Sequence, residues 1–239
     1  MPFAVLFDLD DTLFDHHRSA RAALSEVHAR YGSQTDFDAF ERHHTRYLEE
    51  MHIEVLAGRI GLDEARRERF RRVFLALGLA LDEREVDQVA SAYRFGYVQA
   101  RRAIDGATDL LAAIRPLARI GIVSNNLLDE QREKLEFCGL APYVDVLMVS
   151  EEAGVSKPDP RIFCMALERL AVSPAESVMV GDSWTADVTG AARAGIRPVW
   201  FNPWHLAQPG DPADVAAIHA LTPVTGVIPV LLGRERGTR

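Results

Sequence analysis

The chain has 239 residues, 48% hydrophobic and 26% charged, with a net charge of −8. This composition excludes a disordered, collagenous or disulfide-stapled chain, and the acidic balance argues against a nucleic-acid polymer as partner, because binding a phosphate backbone draws on an excess of Lys and Arg. Two cysteines, Cys138 and Cys164, and no apolar run near the ~18 residues needed to cross a bilayer lead to the expectation of a cytoplasmic protein without a membrane. The opening MPFAVLFDLDD has no basic segment and meets an acid at Asp8, so it does not read as a secretion signal.

In chain order, residues 3–7 form a short apolar run ending at Asp8, the pattern of a strand buried on both faces in a parallel sheet. Residues 15–102 change character. Apolar residues recur at helical spacing, as in Ala65, Phe70, Val73, Phe74 and Leu77, and turns fall near residues 32–33, 58–61 and 78–81. About four helices inserted after the first strand are expected. From residue 103 onward, apolar runs at 120–123, 144–149, 177–180 and 198–201 alternate with helical stretches at 107–117, 129–138, 161–170 and 185–194. This order predicts a doubly wound, mostly parallel α/β sheet built from residues 1–14 and 103–239, with residues 15–102 as an inserted α-helical domain. Acids and bases balance over 15–102, so the acidic excess falls on the α/β part.

Ligands of open α/β sheets bind beyond the carboxyl ends of the strands. Four such ends carry polar groups here: Asp8-Leu9-Asp10-Asp11-Thr12, Ser124-Asn125-Asn126, Ser156-Lys157-Pro158, and Gly181-Asp182-Ser183 followed by Asp187. Asp8 and Asp10 stand two apart on extended chain and point the same way. Their mutual repulsion, with Asp182 as a third carboxylate, suits a hard divalent cation such as Mg2+. Taken alone, Asp8 reads equally well as a turn or cap residue; the four ends taken together favour a site. Ser124 and Asn125 can donate to phosphate oxygens or cap the helix that follows, and the Lys157 ammonium can neutralise a phosphate. Lysine is rare in this chain: Lys134 and Lys157 are the only two, against 25 arginines. An EF-hand is excluded, since its glycine and glutamate positions hold Leu13 and Ser19. Glycine-rich nucleotide loops are absent, and Gly181-Asp182-Ser183-Trp184-Thr185 lacks the second glycine of a nucleophile elbow.

These residues resemble the four motifs of the haloacid dehalogenase superfamily of phosphohydrolases, in order and spacing and over nearly the full chain. Asp8-Leu9-Asp10-Asp11-Thr12 is similar to its D-x-D-x-T motif, Ser124 to the second, Lys157 to the third, and Gly181-Asp182 with Asp187 to the fourth. The helical insert resembles the cap of the subfamily that holds small-metabolite and nucleotide phosphatases. The resemblance implies that Asp8 is the nucleophile and forms an aspartyl-phosphate, and that Asp10 is the general acid and base. It implies that Mg2+ is held by Asp8, by the backbone carbonyl of Asp10 and by Asp182. Ser124, Asn125 and Lys157 would bind the phosphoryl group, with Thr12 and Asp187 in support. Members that cleave carbon–halogen bonds lack an acid at the position of Asp10, which disfavours dehalogenation. The partner implied is a small phosphorylated metabolite, such as a nucleotide or sugar phosphate, bound by a monomer or homodimer. A phosphomutase, a non-catalytic phosphoacceptor module and a binding protein on a dead hydrolase fold are the alternatives.

Within residues 15–102, Asp15, His16 and His17 follow the first motif and stand where they could line an entrance, although solvent-facing histidines are the commoner case. His43, His44 and His52 match no zinc spacing and are expected on a surface helix. Arg66, Arg67, Arg69, Arg71 and Arg72 interleave with Glu64 and Glu68, the pattern of a solvated, salt-bridged face. Tyr93, Phe95 and Tyr97 could stack on a base, and Trp184 and Trp204 of the α/β part could flank a pocket, but packing in a core is the commoner use of such residues and is the expectation for all five.

Overall fold

A computed structural model of the chain describes residues 3–233. The chain folds as two compact units, residues 16–101 and the flanking stretches up to 15 and from 102 onward.

The helical unit holds α1 (His16–Val27), α2 (Phe37–Leu56), α3 (Leu62–Ala76) and α4 (Glu83–Gln99), with a π-helical turn (His28–Gly32) after α1. Helix starts follow local chemistry. Asp36 accepts from the Ala39 N–H at 2.8 Å, and Asp82 and Glu85 form a reciprocal capping box. α1 packs on α4, α2 on α3, and α3 on α4. Phe40 and Phe74 meet edge to face at 5.5 Å in the shared core.

The α/β unit holds six parallel strands: β1 (Ala4–Phe7), β2 (Arg119–Ser124), β3 (Val146–Val149), β4 (Ser177–Gly181), β5 (Arg197–Phe201) and β6 (Ala216–Ile218). Their spatial order is β3-β2-β1-β4-β5-β6, the doubly wound topology. Helices α5 (Ala107–Ile114), α6 (Leu128–Phe137), α7 (Ser150–Ala153), α8 (Pro160–Leu170), α9 (Gly190–Arg193) and α10 (Val224–Leu231) complete it. All four β1 side chains are fully buried, as a central strand covered on both faces requires. Ala4 and Leu6 share one core with Ile162, Phe163 and Leu167 of α8. Gly121 of β2 has no side chain to spare there, since a Cβ would lie 2.7 Å from Leu6 Cδ2. β1 lies between β2 and β4, so the chain's direction of winding reverses beside it, and the carboxyl ends of these three strands are neighbours.

The structure corrects several expectations. The helix expected at 185–194 is a π-helical turn (Trp184–Thr189) followed by the short α9. β6 and α10 were not anticipated; a three-residue strand carries too few residues for a period to show. His44 is not on the surface. It is 1% exposed, because it shares the inward face of α2 with Phe40 and Met51. Arg69 is likewise 6% exposed, one turn from Ala65 and Val73 on the inward face of α3. Phe95 and Trp204, expected in a core, are exposed.

Candidate active site

The site is built at the carboxyl ends of β1, β2 and β4. The Asp8 N–H still bonds the Val180 carbonyl at 2.9 Å, so Asp8 is fixed as the last ladder residue of β1. The chain then turns sharply. The Leu9 carbonyl accepts from the N–H groups of Thr12, Leu13 and Phe14, while Leu9 itself is fully buried. Asp11 takes a left-handed conformation with φ 60°, which aspartate tolerates better than most residues.

Asp8 is 7% exposed and its Oδ1 accepts from Lys157 Nζ at 2.5 Å. The same ammonium donates to the Val123 carbonyl at 2.8 Å and lies 2.7 Å from Asp187 Oδ1. Burial alone would lower the Lys157 pKa, but the Asp187 and Asp8 carboxylates hold it above the ordinary lysine value. Lys157 therefore carries its charge in the interior. Its loop is set by Asn125, whose amide donates to the Lys157 carbonyl at 2.9 Å and whose Oδ1 accepts from the Lys157 N–H at 2.7 Å.

Asp187 is 1% exposed, on the π-helical turn opened by Ser183. Its Oδ2 accepts from the Ser183 N–H at 3.0 Å, and Ser183 Oγ accepts from the Ala186 N–H at 3.2 Å. Asp187 packs so tightly on β4 that a Cβ at Gly181 would lie 2.3 Å from its carboxylate, which is why glycine stands there. Asp182 is held through Thr12. The Asp182 N–H donates to Thr12 Oγ1 at 3.1 Å, and that hydroxyl donates to Asp182 Oδ1 at 3.3 Å. Trp200 Nε1 donates to the Asp182 carbonyl at 2.8 Å.

Asp8, Asp182 and Asp187 each bring a carboxylate oxygen within 4.8 Å of the others. Burial pushes the Asp8 carboxyl well above the usual range; Lys157 pulls it down, and Asp187 and Asp182 push it further up. Burial, then Asp187 and Asp11, push Asp182 up to about 7 against the pull of Lys157. Three carboxylates facing one ammonium leave an excess of negative charge, which a divalent cation neutralises. The donor set is all oxygen, which fits Mg2+.

Asp10 is placed apart from this cluster. Lys134 Nζ donates to both of its oxygens, at 2.6 and 2.8 Å, and Gln131 Nε2 donates to Oδ2 at 2.8 Å. Asn126 Nδ2 adds a 3.3 Å contact. Gln131 also donates to Ser124 Oγ at 2.6 Å, which ties the end of β2 to Asp10. Lys134 and Gln131 lie three apart on α6, are 3% and 0% exposed, and were not singled out as site residues in the sequence. The rarity of lysine was the available signal. Each lysine of the chain bonds an aspartate of the first motif, Lys157 to Asp8 and Lys134 to Asp10.

Comparison with known proteins agrees with this geometry. A family model described as haloacid dehalogenase-like hydrolase matches residues 4–195. The chain is 30% identical over 204 residues to the pyrimidine 5'-nucleotidase PynA of Streptococcus pneumoniae, covering 84% of each. It is 32% identical over 224 residues to the ribulose-1,5-bisphosphate 5-phosphatase of Halopiger xanaduensis, covering 91% of this chain and 92% of that one. The magnesium-bound crystal structure of the HAD-hydrolase YfnB of Bacillus subtilis superposes with a TM-score of 0.77 at 25% identity, covering 98% of this chain and 100% of that one. With its motif residues converging at the carboxyl ends of a doubly wound sheet, the chain belongs to the haloacid dehalogenase-like hydrolases, on the phosphatase side of that family.

Proposed function

We propose that the protein is a magnesium-dependent phosphatase that hydrolyses a small phosphate monoester through an aspartyl-phosphate on Asp8. The observation that carries this reading is the separation of two neighbouring aspartates into two settings. Asp8 lies among carboxylates with one lysine, and Asp10 lies in a basket of amide and ammonium donors. The two carboxyl groups have different partners, Lys157 for Asp8 and Lys134, Gln131 and Asn126 for Asp10, and a cation bound beside Asp8 would favour its ionised form for attack.

Asp8 attacks phosphorus through a carboxylate oxygen, and the bond to the leaving alkoxide breaks as Asp10 delivers a proton to it. Asp10 then takes a proton from water, whose oxygen attacks the same phosphorus. Inorganic phosphate leaves and the Asp8 carboxylate is regenerated. Lys157 and Ser124 bind the transferring oxygens, while Asn125 keeps the Lys157 loop in place. Asp8, Asp182 and the backbone carbonyl of Asp10 would hold Mg2+. When bound, it supplies charge neutralisation between two anions and orientation of the nucleophile. Asp187, spent on Ser183 and Lys157, supports rather than ligates. The helical unit is read as the substrate-selecting cap, and the named relatives point to a nucleotide or sugar phosphate.

The test is release of inorganic phosphate from p-nitrophenyl phosphate by purified protein. Turnover is expected to need Mg2+, to stop with EDTA, and to disappear in Asp8→Asn while the fold persists by circular dichroism. Activity retained in Asp8→Asn, or indifferent to chelation, would overturn the reading. Transfer of phosphate to another hydroxyl without release would mark a phosphomutase instead.

A further inference from the structure

The side-chain amide of Gln131 on α6 serves two groups of the site. Gln131 is 0% exposed, and its Nε2 donates to Asp10 Oδ2 at 2.8 Å and to Ser124 Oγ at 2.6 Å, while its Oε1 has no hydrogen-bond partner. A buried amide with an orphaned carbonyl costs folding free energy, and a methionine would fill similar space without that orphan. Packing alone does not explain the residue.

An amide nitrogen has two N–H donors, and here each has its own acceptor. The acceptors stand at different strand ends, Asp10 two residues past the last ladder residue of β1 and Ser124 at the end of β2. One nitrogen thus sets their separation. Ser124 Oγ accepts from it, so the hydroxyl's own proton is not used on Gln131 and is left to donate to a phosphoryl oxygen. Lys134, three residues further along α6, lies over the Phe14 ring at 5.2 Å and holds the Asp10 carboxyl by both oxygens. Lys134 therefore limits the direction of that carboxyl, while Gln131 limits its distance from Ser124. The Asp10 side chain keeps 25% exposure, so it is clamped and still reachable.

We infer that Gln131 is a positioning residue of the reaction, which through one amide nitrogen keeps the proton-transferring carboxyl of Asp10 at a fixed distance from the phosphoryl-binding hydroxyl of Ser124. The proton must reach an oxygen bonded to the same phosphorus that Ser124 helps to hold, so this distance decides how well the two act together; a misplacement of about 1 Å costs on the order of 100-fold in rate. Gln131 acts only through Asp10 and Ser124. The inference rests on the phosphatase reading and deepens it, since it makes departure of the leaving oxygen depend on a residue outside the four motifs.

The experiment compares the wild type with Gln131→Met on p-nitrophenyl phosphate and phenyl phosphate. The two esters are alike in shape, but p-nitrophenolate is a stabilised anion that departs with little help, whereas phenolate needs the proton more. In Gln131→Met, kcat/KM should fall about 10-fold for p-nitrophenyl phosphate and about 100-fold for phenyl phosphate, the loss lying in kcat more than in KM. The urea midpoint of unfolding should not fall, because the variant removes the orphaned carbonyl and keeps the volume. Equal losses on the two esters would mean that Gln131 does not act through Asp10, and would overturn the inference; so would unchanged kinetics. A lowered midpoint with equal losses would make Gln131 structural. Crystal structures of the two proteins read the same arrangement without turnover. The Asp10 carboxyl or the Ser124 hydroxyl is expected to leave its place in Gln131→Met, and coincident positions would overturn the inference. A wild type that hydrolyses neither ester with Mg2+ would count against the phosphatase reading alone.

Discussion

Asp8 and Asp10 are the same side chain two positions apart, and what separates them is one lysine each. Lys157 reaches Asp8 from the loop before α8, and Lys134 reaches Asp10 from α6. Lys134 touches both Asp10 oxygens and fixes the direction of that carboxyl group. Lys134→Met is therefore expected to lower kcat about 100-fold with a much smaller change in KM, the size of effect that follows loss of alignment at a reacting group. Steady-state kinetics on p-nitrophenyl phosphate will show whether kcat or KM carries the loss; a change confined to KM would place Lys134 on the substrate instead. Asp8, Asp10, Ser124, Lys157, Asp182 and Asp187 were legible as residues because each follows an apolar run that had to be a strand. Lys134 and Gln131 were not, because a polar pair at i and i+3 on a helix is common on solvated faces, and nothing local to the helix says that this face is turned toward Asp10.

At the scale of elements, the π-helical turn after β4 is a packing device. It brings Asp187 back against the Gly181 backbone, with room for no side chain at that point. Gly181→Ala should cost about 1–3 kcal/mol by overpacking, and it should depress activity with it, since Asp187 and its contact with Lys157 must shift. Urea unfolding and turnover measured on one preparation test this; a stable, fully active variant would contradict the tight fit. In the helical unit, buried His44 is packed by Arg69 and Phe70 of α3, Tyr93 of α4 and the charge of His16 on α1. Its pKa is depressed when folded and near 6.5 when unfolded, so the unfolded chain binds the extra proton. Its contribution is fully present above about pH 6.5 and is lost as pH falls, at about 1.4 kcal/mol per unit until the folded value is reached. His44→Gln should remove that slope. Unfolding curves at pH 7.5 and 5.5 for both proteins check it, and parallel losses in the two would refute it. The helix count and the turns of this unit could be read from apolar spacing and glycine. The inward turn of His44 and Arg69 could not, because single polar residues on an apolar face read as interruptions of the pattern rather than as part of it.

Across the whole molecule, the acidic cluster at the strand ends brings three carboxylates, two of them buried, to one ammonium. A cation that binds the folded chain there stabilises it by mass action, about 2.7 kcal/mol at a hundredfold excess over its dissociation constant. Saturating Mg2+ should raise the melting temperature of the wild type and leave Asp182→Asn nearly unmoved; an equal rise in both would place the ion elsewhere. Among the described residues no helix is long and apolar enough to cross a membrane. The fold class, the division into a sheet and an inserted set of helices, and the strand ends that bear the motifs all follow from local periodicity, since strands and helices repeat every 2 and 3.6 residues and turns need particular side chains. Which residues face one another across the sheet does not follow from any local rule. The strand order that puts β1 between β2 and β4, the approach of α6 to Asp10, and the burial of Arg69 are outcomes of many distant contacts formed together, and the different surroundings of Asp8 and Asp10 exist only once those contacts are made.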